Sequence, residues 1–420
     1  MSQLRRRTSE VLRHPALVRY LTARLLATLA AQIQTVAVGW QVYEITRDPL
    51  DLGLIGLSQF LPFVVLILPA GQIADRYDRR NIVMGCYATE TFCALLLLAF
   101  TVYRIHDPWP VFAAMTLLGC ARAFSMPSGQ ALLPNLVPPE QFNRAVALNS
   151  SVFQISTVAG PAVGGVIYLG GPAFVYGCVG VLAATATLLM LRVRARQQQA
   201  QIREPTNLAT LLSGLKFVRS KPTVFGAISL DLFAVLFGGA TALLPIYASD
   251  VLHIGPAGLG VLRTAPGIGA SLCAIWLAFS PIGRNVGRWM FGGVFAYGVA
   301  TLVFGLSTSF WLSLLALIVL GAGDMVSVYV RHLLVQLETP DTIRGRVSAV
   351  SAVFIGASNE LGEFESGLTA RWWGAVRSVV IGAIATLVVT GLWVRLFPVL
   401  WKMDRFPPPA APKPDPAAST

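Results

Sequence analysis

The chain has 420 residues, of which 55% are hydrophobic and only 12% charged, and its formal net charge is +12. Soluble domains carry about 25% charged residues, so this chain is solvated mainly by lipid, and no soluble domain of ordinary size fits beside its apolar runs. The basic excess invites a nucleic-acid reading, which the placement of the charges along the chain then excludes.

A membrane helix needs about 20 apolar residues, so the length accommodates about a dozen helices with short loops. The N-terminus is polar and carries Arg5, Arg6, Arg7, Arg13 and Arg19 before the first apolar run. That run is too long for a cleavable signal peptide and is expected to remain as the first span. Hydropathy and helix breakers place six spans near 17–44, 51–74, 81–103, 109–131, 143–169 and 172–192. Six more follow near 222–249, 256–280, 287–307, 310–334, 345–370 and 375–400. Short turns at Asp48-Pro49, Asp107-Pro108, Gly170-Gly171-Pro172 and Gly255-Pro256 join them on one side.

The expected fold is therefore an all-α membrane protein with twelve transmembrane helices in two six-helix halves. Residues 1–192 form the first half and 222–406 the second. The polar segment 193–221, with Pro205 and an amphipathic stretch around Leu208–Phe217, reads as a cytoplasmic linker. The Pro- and Ala-rich tail 407–420 reads as disordered. With the N-terminus inside, about 24 of the Lys and Arg fall on one side and about four (Arg47, Arg104, Arg371, Arg377) on the other. The excess is topogenic, both termini are expected in the cytoplasm, and no nucleic-acid partner is expected. The inward set includes the turn at Arg76, Arg79 and Arg80 and the connection from 331 to 346.

Cys86, Cys93, Cys120, Cys178 and Cys273 all lie in apolar spans without a CxxC pair, so neither a disulfide framework nor a metal site is indicated. No cofactor is expected. A repeat is visible within the chain: Leu132–Phe153 aligns without gaps on Leu333–Phe354, with eight identities in twenty-two positions. Two parallel six-helix repeats are an architecture of secondary transporters that rock about a central site.

The turn between the second and third spans reads GQIADRYDRR, from Gly71 to Arg80. With the repeat, it makes the chain resemble the major facilitator superfamily, whose pattern Gly-x-x-x-Asp-Arg-x-Gly-Arg-Arg is matched by Gly71, Asp75, Arg76, Arg79 and Arg80. Asp78 stands where the family has glycine. The resemblance implies pseudo-symmetric halves and a cluster that latches them at the cytoplasmic side and favours the outward-open state. Gly71 would permit close approach of another helix, and Asp75 would sit at a helix N-terminus. A topogenic turn without a gating role is the alternative. The related turn of the second half keeps Arg284 and Arg288 but lacks the acid.

In the fifth span, Gly160-Pro161-Ala162-Val163-Gly164-Gly165 fits the core of the motif that accompanies antiport in this superfamily. Proline kinks a helix, and a kinked, tightly packed helix without a transport role is the other reading. The segment Pro127–Ser151 resembles the branch of enterobactin exporters and macrolide-efflux proteins, which implies export of a siderophore or a drug-like amphipathic compound.

Ionisable groups at membrane depth are functional candidates. Here they are Arg24, Glu90, Arg122, Asp231, Arg263, Asp324, Glu360, Glu363 and Glu365. Asp231, Glu360, Glu363 and Asp324 are the candidate proton carriers, since close carboxylates in a low dielectric do not both stay ionised easily. Glu360 and Glu363 share a helix face. Alternatively these acids pair permanently with Arg263, Arg122 or Arg24 and fix helix packing. Gln32, Gln34 and Gln41, with Trp40, Tyr43 and Asn359, are candidate cavity groups.

The expected function is a proton-coupled exporter in the bacterial inner membrane, monomeric, with a small-molecule substrate, protons and the lipid bilayer as partners. An uptake or facilitative carrier for a nutrient on the same fold is the alternative. A polytopic membrane enzyme or scaffold is the alternative of another class. It finds no support: there is no GxxxxGK[ST] or HExxH, and His14, His106, His253 and His332 are far apart.

Overall fold

The structure, a computed structural model, describes residues 13–194 and 208–408. Arg5, Arg6, Arg7, Pro205 with the centre of the expected linker, and the tail beyond 408 lie outside the described residues, as does the side chain of Asp75. All regular structure among the described residues is helical. The long elements are α1 (Pro15–Thr46), α2 (Pro49–Arg76), α3 (Arg79–Val102), α4 (Trp109–Leu132), α5 (Phe142–Ile167) and α6 (Pro172–Leu191). They continue as α7 (Leu208–Ser220), α8 (Pro222–Phe237), α9 (Gly255–Phe279), α10 (Val286–Leu306), α11 (Phe310–Glu338), α12 (Asp341–Trp373) and α13 (Ala375–Leu396). Among the described residues, eleven helical segments are long and apolar enough to cross a membrane. The helix α12 is not among them: its 33 residues carry Glu360, Glu363, Glu365 and Arg371, which dilute its apolar run.

Proline opens α1, α2, α6 and α8, where its missing N–H costs nothing. Gly171 precedes Pro172 with φ of 89°, a left-handed turn that an L side chain would strain. The carboxylate of Asp48 accepts a hydrogen bond from Leu50 N at 3.0 Å and so caps α2. Asp78 does the same for α3, accepting from Arg80 N at 2.9 Å. Its φ of −61° is open to any residue, which explains why this turn tolerates an aspartate where the superfamily has glycine.

Two compact units organise the chain. One is drawn from the described residues of Met1–Thr206 with Ala242–Thr264, the other from those of Asn207–Thr241 with Ala265–Thr420. The first is built around Leu17, Tyr20, Ala23, Leu132, Ala186 and Met190, small and apolar side chains that let α1, α4 and α6 meet. The second centres on Ala227, Leu230, Val286, Met290, Phe291 and Val330. The amphipathic α7 lies on α12, with the carbonyl of Arg346 2.9 Å from where a β-carbon on Gly214 would stand.

The span expected at 222–249 is interrupted. Helix α8 stops at Phe237, and a 3-10 turn (Ala240–Leu243), a short helical turn (Leu244–Ile246) and a π-turn (Tyr247–Val251) complete it. The cause is Gly238-Gly239, two glycines in succession, each in backbone-close contact. A β-carbon on Gly238 would fall 2.4 Å from the Tyr297 ring, and one on Gly239 2.4 Å from the Gly362 carbonyl of α12. Freed carbonyls in lipid must be re-satisfied. Tyr297 Oη donates to Gly238 O at 2.9 Å and Thr386 Oγ1 to Ala234 O at 3.1 Å.

Candidate functional site

In the second unit, the break in α8 opens a cavity of about 170 Å³. Its polar walls are Asp324 of α11, Asn359 and Glu363 of α12, Tyr297 of α10 and Thr241 of the 3-10 turn. The backbone of Gly238-Gly239 forms another side, and Val235, Pro266 and Leu320 supply apolar surface. Two carboxyl groups, an amide and two hydroxyls on four elements converge on one small space, which suits capture of a proton or the polar part of a substrate. Asn359 Nδ2 also donates to Ile355 O at 3.0 Å, which leaves its amide oxygen for the cavity.

Of the acids singled out by depth, the structure brings together Asp324 and Glu363, with Asn359. Glu360, one turn from Glu363, does not line the cavity, nor does Glu365. Asp231 is 4% exposed and is ion-paired with Arg331, itself 3% exposed. Hydropathy places Arg331 in a cytoplasmic connection, and the arginines expected to pair with the membrane acids are Arg263, Arg122 and Arg24. The helix α11 instead continues to Glu338 and carries Arg331 into the core. Asp231 and Arg331 are 100 residues apart, and no periodicity within one helix announces such a pair.

In the first unit, Arg24 donates to Tyr20 Oη at 3.3 Å and lies 5.9 Å from the centre of the Phe153 ring. Arg122 lies 5.5 Å from that of Phe63. Both cations rest on aromatic faces, an arrangement that suits guanidinium. Gln41 is tied on both sides, accepting from Tyr176 Oη at 2.6 Å and donating to Thr101 Oγ1 at 3.0 Å. Gln34 (2% exposed) and Glu90 (8% exposed) are buried, with both Gln34 amide atoms and Glu90 Oε1 lacking a hydrogen-bond partner among the described residues. Gln32 packs on α5: a β-carbon on Gly160 would stand 2.4 Å from Gln32 Cβ.

The glycine–proline motif of α5 is a seam between helices. Gly164 faces Ile33 of α1, whose Cα is 3.0 Å from the position a β-carbon would take. Gly165 faces the first turns of α9, where such a carbon would be 2.6 Å from Pro256 O and 2.8 Å from Gly260 Cα. Gly260 reciprocates, at 2.5 Å from Pro161 O. Only glycines allow backbones this close.

The arginines of the GQIADRYDRR turn serve helix ends of their own unit. Arg79 donates to Ala131 O at 3.0 Å in the last turn of α4. Arg80 donates to Met190 O at 3.1 Å and Leu191 O at 2.7 Å at the end of α6. Cations are favoured on these C-terminal carbonyls. Arg76 is exposed. A β-carbon on Gly71 would meet nothing within 4 Å among the described residues.

At the opposite end of α1, a polar clasp was not anticipated from the sequence. Asp250 of the π-turn accepts from Tyr43 Oη and pairs with Arg47 at 3.2 Å, and Arg47 also donates to Ser249 Oγ at 3.2 Å. The left-handed Arg47 (φ 52°) that ends α1 turns its side chain to this contact.

Comparison with known proteins fits this architecture. The sequence matches the family described as transmembrane secretion effector (MFS_3) over residues 9–415. The enterobactin exporter EntS of Citrobacter koseri is 27% identical over 407 residues, covering 94% of this chain and 95% of that protein. EntS of Shigella boydii serotype 18 is 26% identical over 402 residues, 94% of each chain. Among solved structures, a bacterial homolog of the human lysosomal transporter Spinster, inward-facing and occupied, superposes with a TM-score of 0.73 at 14% identity, covering 93% of this chain and 98% of that one. The nucleoside transporter NupG gives 0.70 at 15% identity, covering 92% and 99%. A bacterial homologue of the iron transporter ferroportin, inward-facing, gives 0.67 at 15%, covering 90% and 98%. These likenesses establish the fold. The chain is a multi-pass membrane transporter of the major facilitator type and belongs to the transmembrane secretion effector family.

Proposed function

We propose that this transporter exports a small amphipathic compound of the siderophore class from the cytoplasm in exchange for protons, by alternating access, in a bacterial inner membrane. In this reading α12 spans the membrane with the eleven more apolar segments, giving twelve spans in two halves, 1–192 and 222–406. The linker 193–221 and both termini lie in the cytoplasm, and the protein works as a monomer. The observation that carries the coupling part is the cavity at the α8 break, where Asp324 and Glu363 face one space. Two carboxyl groups at membrane depth are favoured with at least one proton between them. Losing and regaining that proton on opposite sides supplies the exchange. Asp231 is the less suited carrier, because its ion pair with Arg331 already compensates its charge. The export direction and substrate class rest on the EntS relatives, whose own cargo is enterobactin.

Everted vesicles loaded acidic inside provide the test, with enterobactin as the probe. Accumulation driven by the gradient is expected, abolished by a protonophore and reduced about a hundredfold or more by Asp324→Asn or Glu363→Gln, the range typical of groups that transfer a proton. Gradient-independent accumulation in both variants at the wild-type rate would sink proton coupling. Uptake into intact cells would favour the nutrient-carrier alternative.

A further inference from the structure

On the face of α11 that carries the cavity acid Asp324 stand Ser327 and Arg331, at spacings of three and seven residues that align them on one side of a helix. Ser327 is 2% exposed and Arg331 3%. Neither Ser327 Oγ nor Arg331 Nε has a hydrogen-bond partner among the described residues. Buried polar groups of this kind are normally satisfied, and two adjacent orphans form a site that takes a water molecule. Helical side chains lean toward the N-terminus, so the Arg331 side chain projects along α11 in the direction of Ser327 and Asp324. Its terminal nitrogen is bonded to Asp231, while its Nε is left over. Asp324 interacts electrostatically with both Asp231 and Arg331.

We propose that Arg331 is a counter-ion shared by two carboxylates, bonded directly to Asp231 and linked to Asp324 through a buried water held by Ser327 Oγ and Arg331 Nε. This rests on the proton-coupled reading above and assigns its internal machinery. When Asp324 gives its proton to cavity water, the new carboxylate draws on Arg331 through the bridging water. When it takes a proton back from cavity water, Arg331 is left to Asp231 alone. Arg331 and Ser327 are positioning residues in this scheme, because neither carries the proton. Among the described residues, the charged and titratable groups around Asp324 are Asp231 on α8, Tyr297 on α10, Arg331 on α11 and Glu363 on α12, while His332 lies by Asp231 and Arg331.

A double-mutant cycle on the purified full-length protein tests the sharing. Melting temperatures are compared for wild type, Asp231→Asn, Asp324→Asn and the double variant. If Arg331 serves both acids, each single variant leaves it one partner, and the double variant loses several degrees more than the sum of the two. The triple variant with Arg331→Gln then recovers most of that excess, because no cation is left orphaned, and this holds even where the double variant barely folds. Additive losses, or a triple variant no better than the double, would overturn the proposal. Ser327→Ala supplies a readout that mere packing would not move: the midpoint of the pH profile of enterobactin accumulation is expected to shift while the melting temperature stays near wild type. An unmoved profile overturns the water bridge. The melting cycle needs no transport, so a wild type that fails to move enterobactin would sink the export reading alone.

Discussion

Single residues of this chain answer to local physics more than to the superfamily pattern. Asp78 shows this best, because its carboxylate takes over the capping of α3 at a position where glycine would contribute only backbone freedom. Replacing an aspartate N-cap by alanine costs about 1 kcal/mol and by glycine a few tenths. Asp78→Ala is therefore expected to lower stability by about 1 kcal/mol in denaturant unfolding, and Asp78→Gly by much less. Equal losses would show that the side chain contributes through something other than the cap. The depth rule for ionisable groups found Asp231, Asp324 and Glu363 from the sequence, since hydropathy alone locates them. It missed Arg331 because a cation near the end of an apolar run is indistinguishable from a loop cation until the helix is seen to continue to Glu338. The clasp residue Asp250 escaped for the converse reason: it lies beside a span end, where acids are common, and its partners Tyr43 and Arg47, at the end of α1, stand 207 and 203 residues away.

At the level of elements, glycines decide which helices meet. The seam between α5 and α9 depends on Gly165 and Gly260 facing each other, and a single β-carbon on either would fall 2.6 Å or less from a carbonyl oxygen. Overpacking of this kind costs about 1–3 kcal/mol once side chains and backbone have shifted to accommodate it. Gly165→Ala and Gly260→Ala are expected to reduce the folded fraction on size-exclusion chromatography, and Gly260→Leu to abolish it. Gly177→Ala on α6, where nothing lies within 4 Å, is the matched control and should be neutral. The sequence revealed the close packing of the α5 motif, since Gly-Pro-x-x-Gly-Gly is a local pattern. It did not reveal that Gly260 was the partner, because small residues recur throughout apolar helices. The break in α8 went unread for a related reason: a hydropathy window averages over Gly238-Gly239 and reports one continuous span. Adjacent glycines were the available signal, and their meaning depends on Tyr297 and Gly362, which only the fold brings to them.

For the molecule as a whole, the most consequential feature is that Ala242–Thr264, drawn from the second half of the sequence, packs in the same compact unit as the first six helices. The clasp at Asp250 is one of its attachments and Pro245 against Gly39 another, with Pro245 Cγ 3.4 Å from where a β-carbon would stand. The two polar arms of the clasp should contribute unequally. The Arg47 and Asp250 side chains are 60% and 44% exposed, so their ion pair is worth about 0.2–1 kcal/mol and weakens in salt. The hydroxyl of the buried Tyr43 donates to a charged acceptor, an interaction worth about 1.5–3 kcal/mol. Ala248→Cys, at a fully buried position two residues before Asp250, reports its opening in a background without the native cysteines. Labelling by a membrane-impermeant maleimide should rise most in Asp250→Asn, which weakens both arms, and nearly as much in Tyr43→Phe. In Arg47→Ala the rise should be smaller, and that increment should vanish at high salt. A labelling rate unchanged in all three variants would assign the docking of this segment to its apolar contacts, with Pro245 on Gly39 the first to test by substitution.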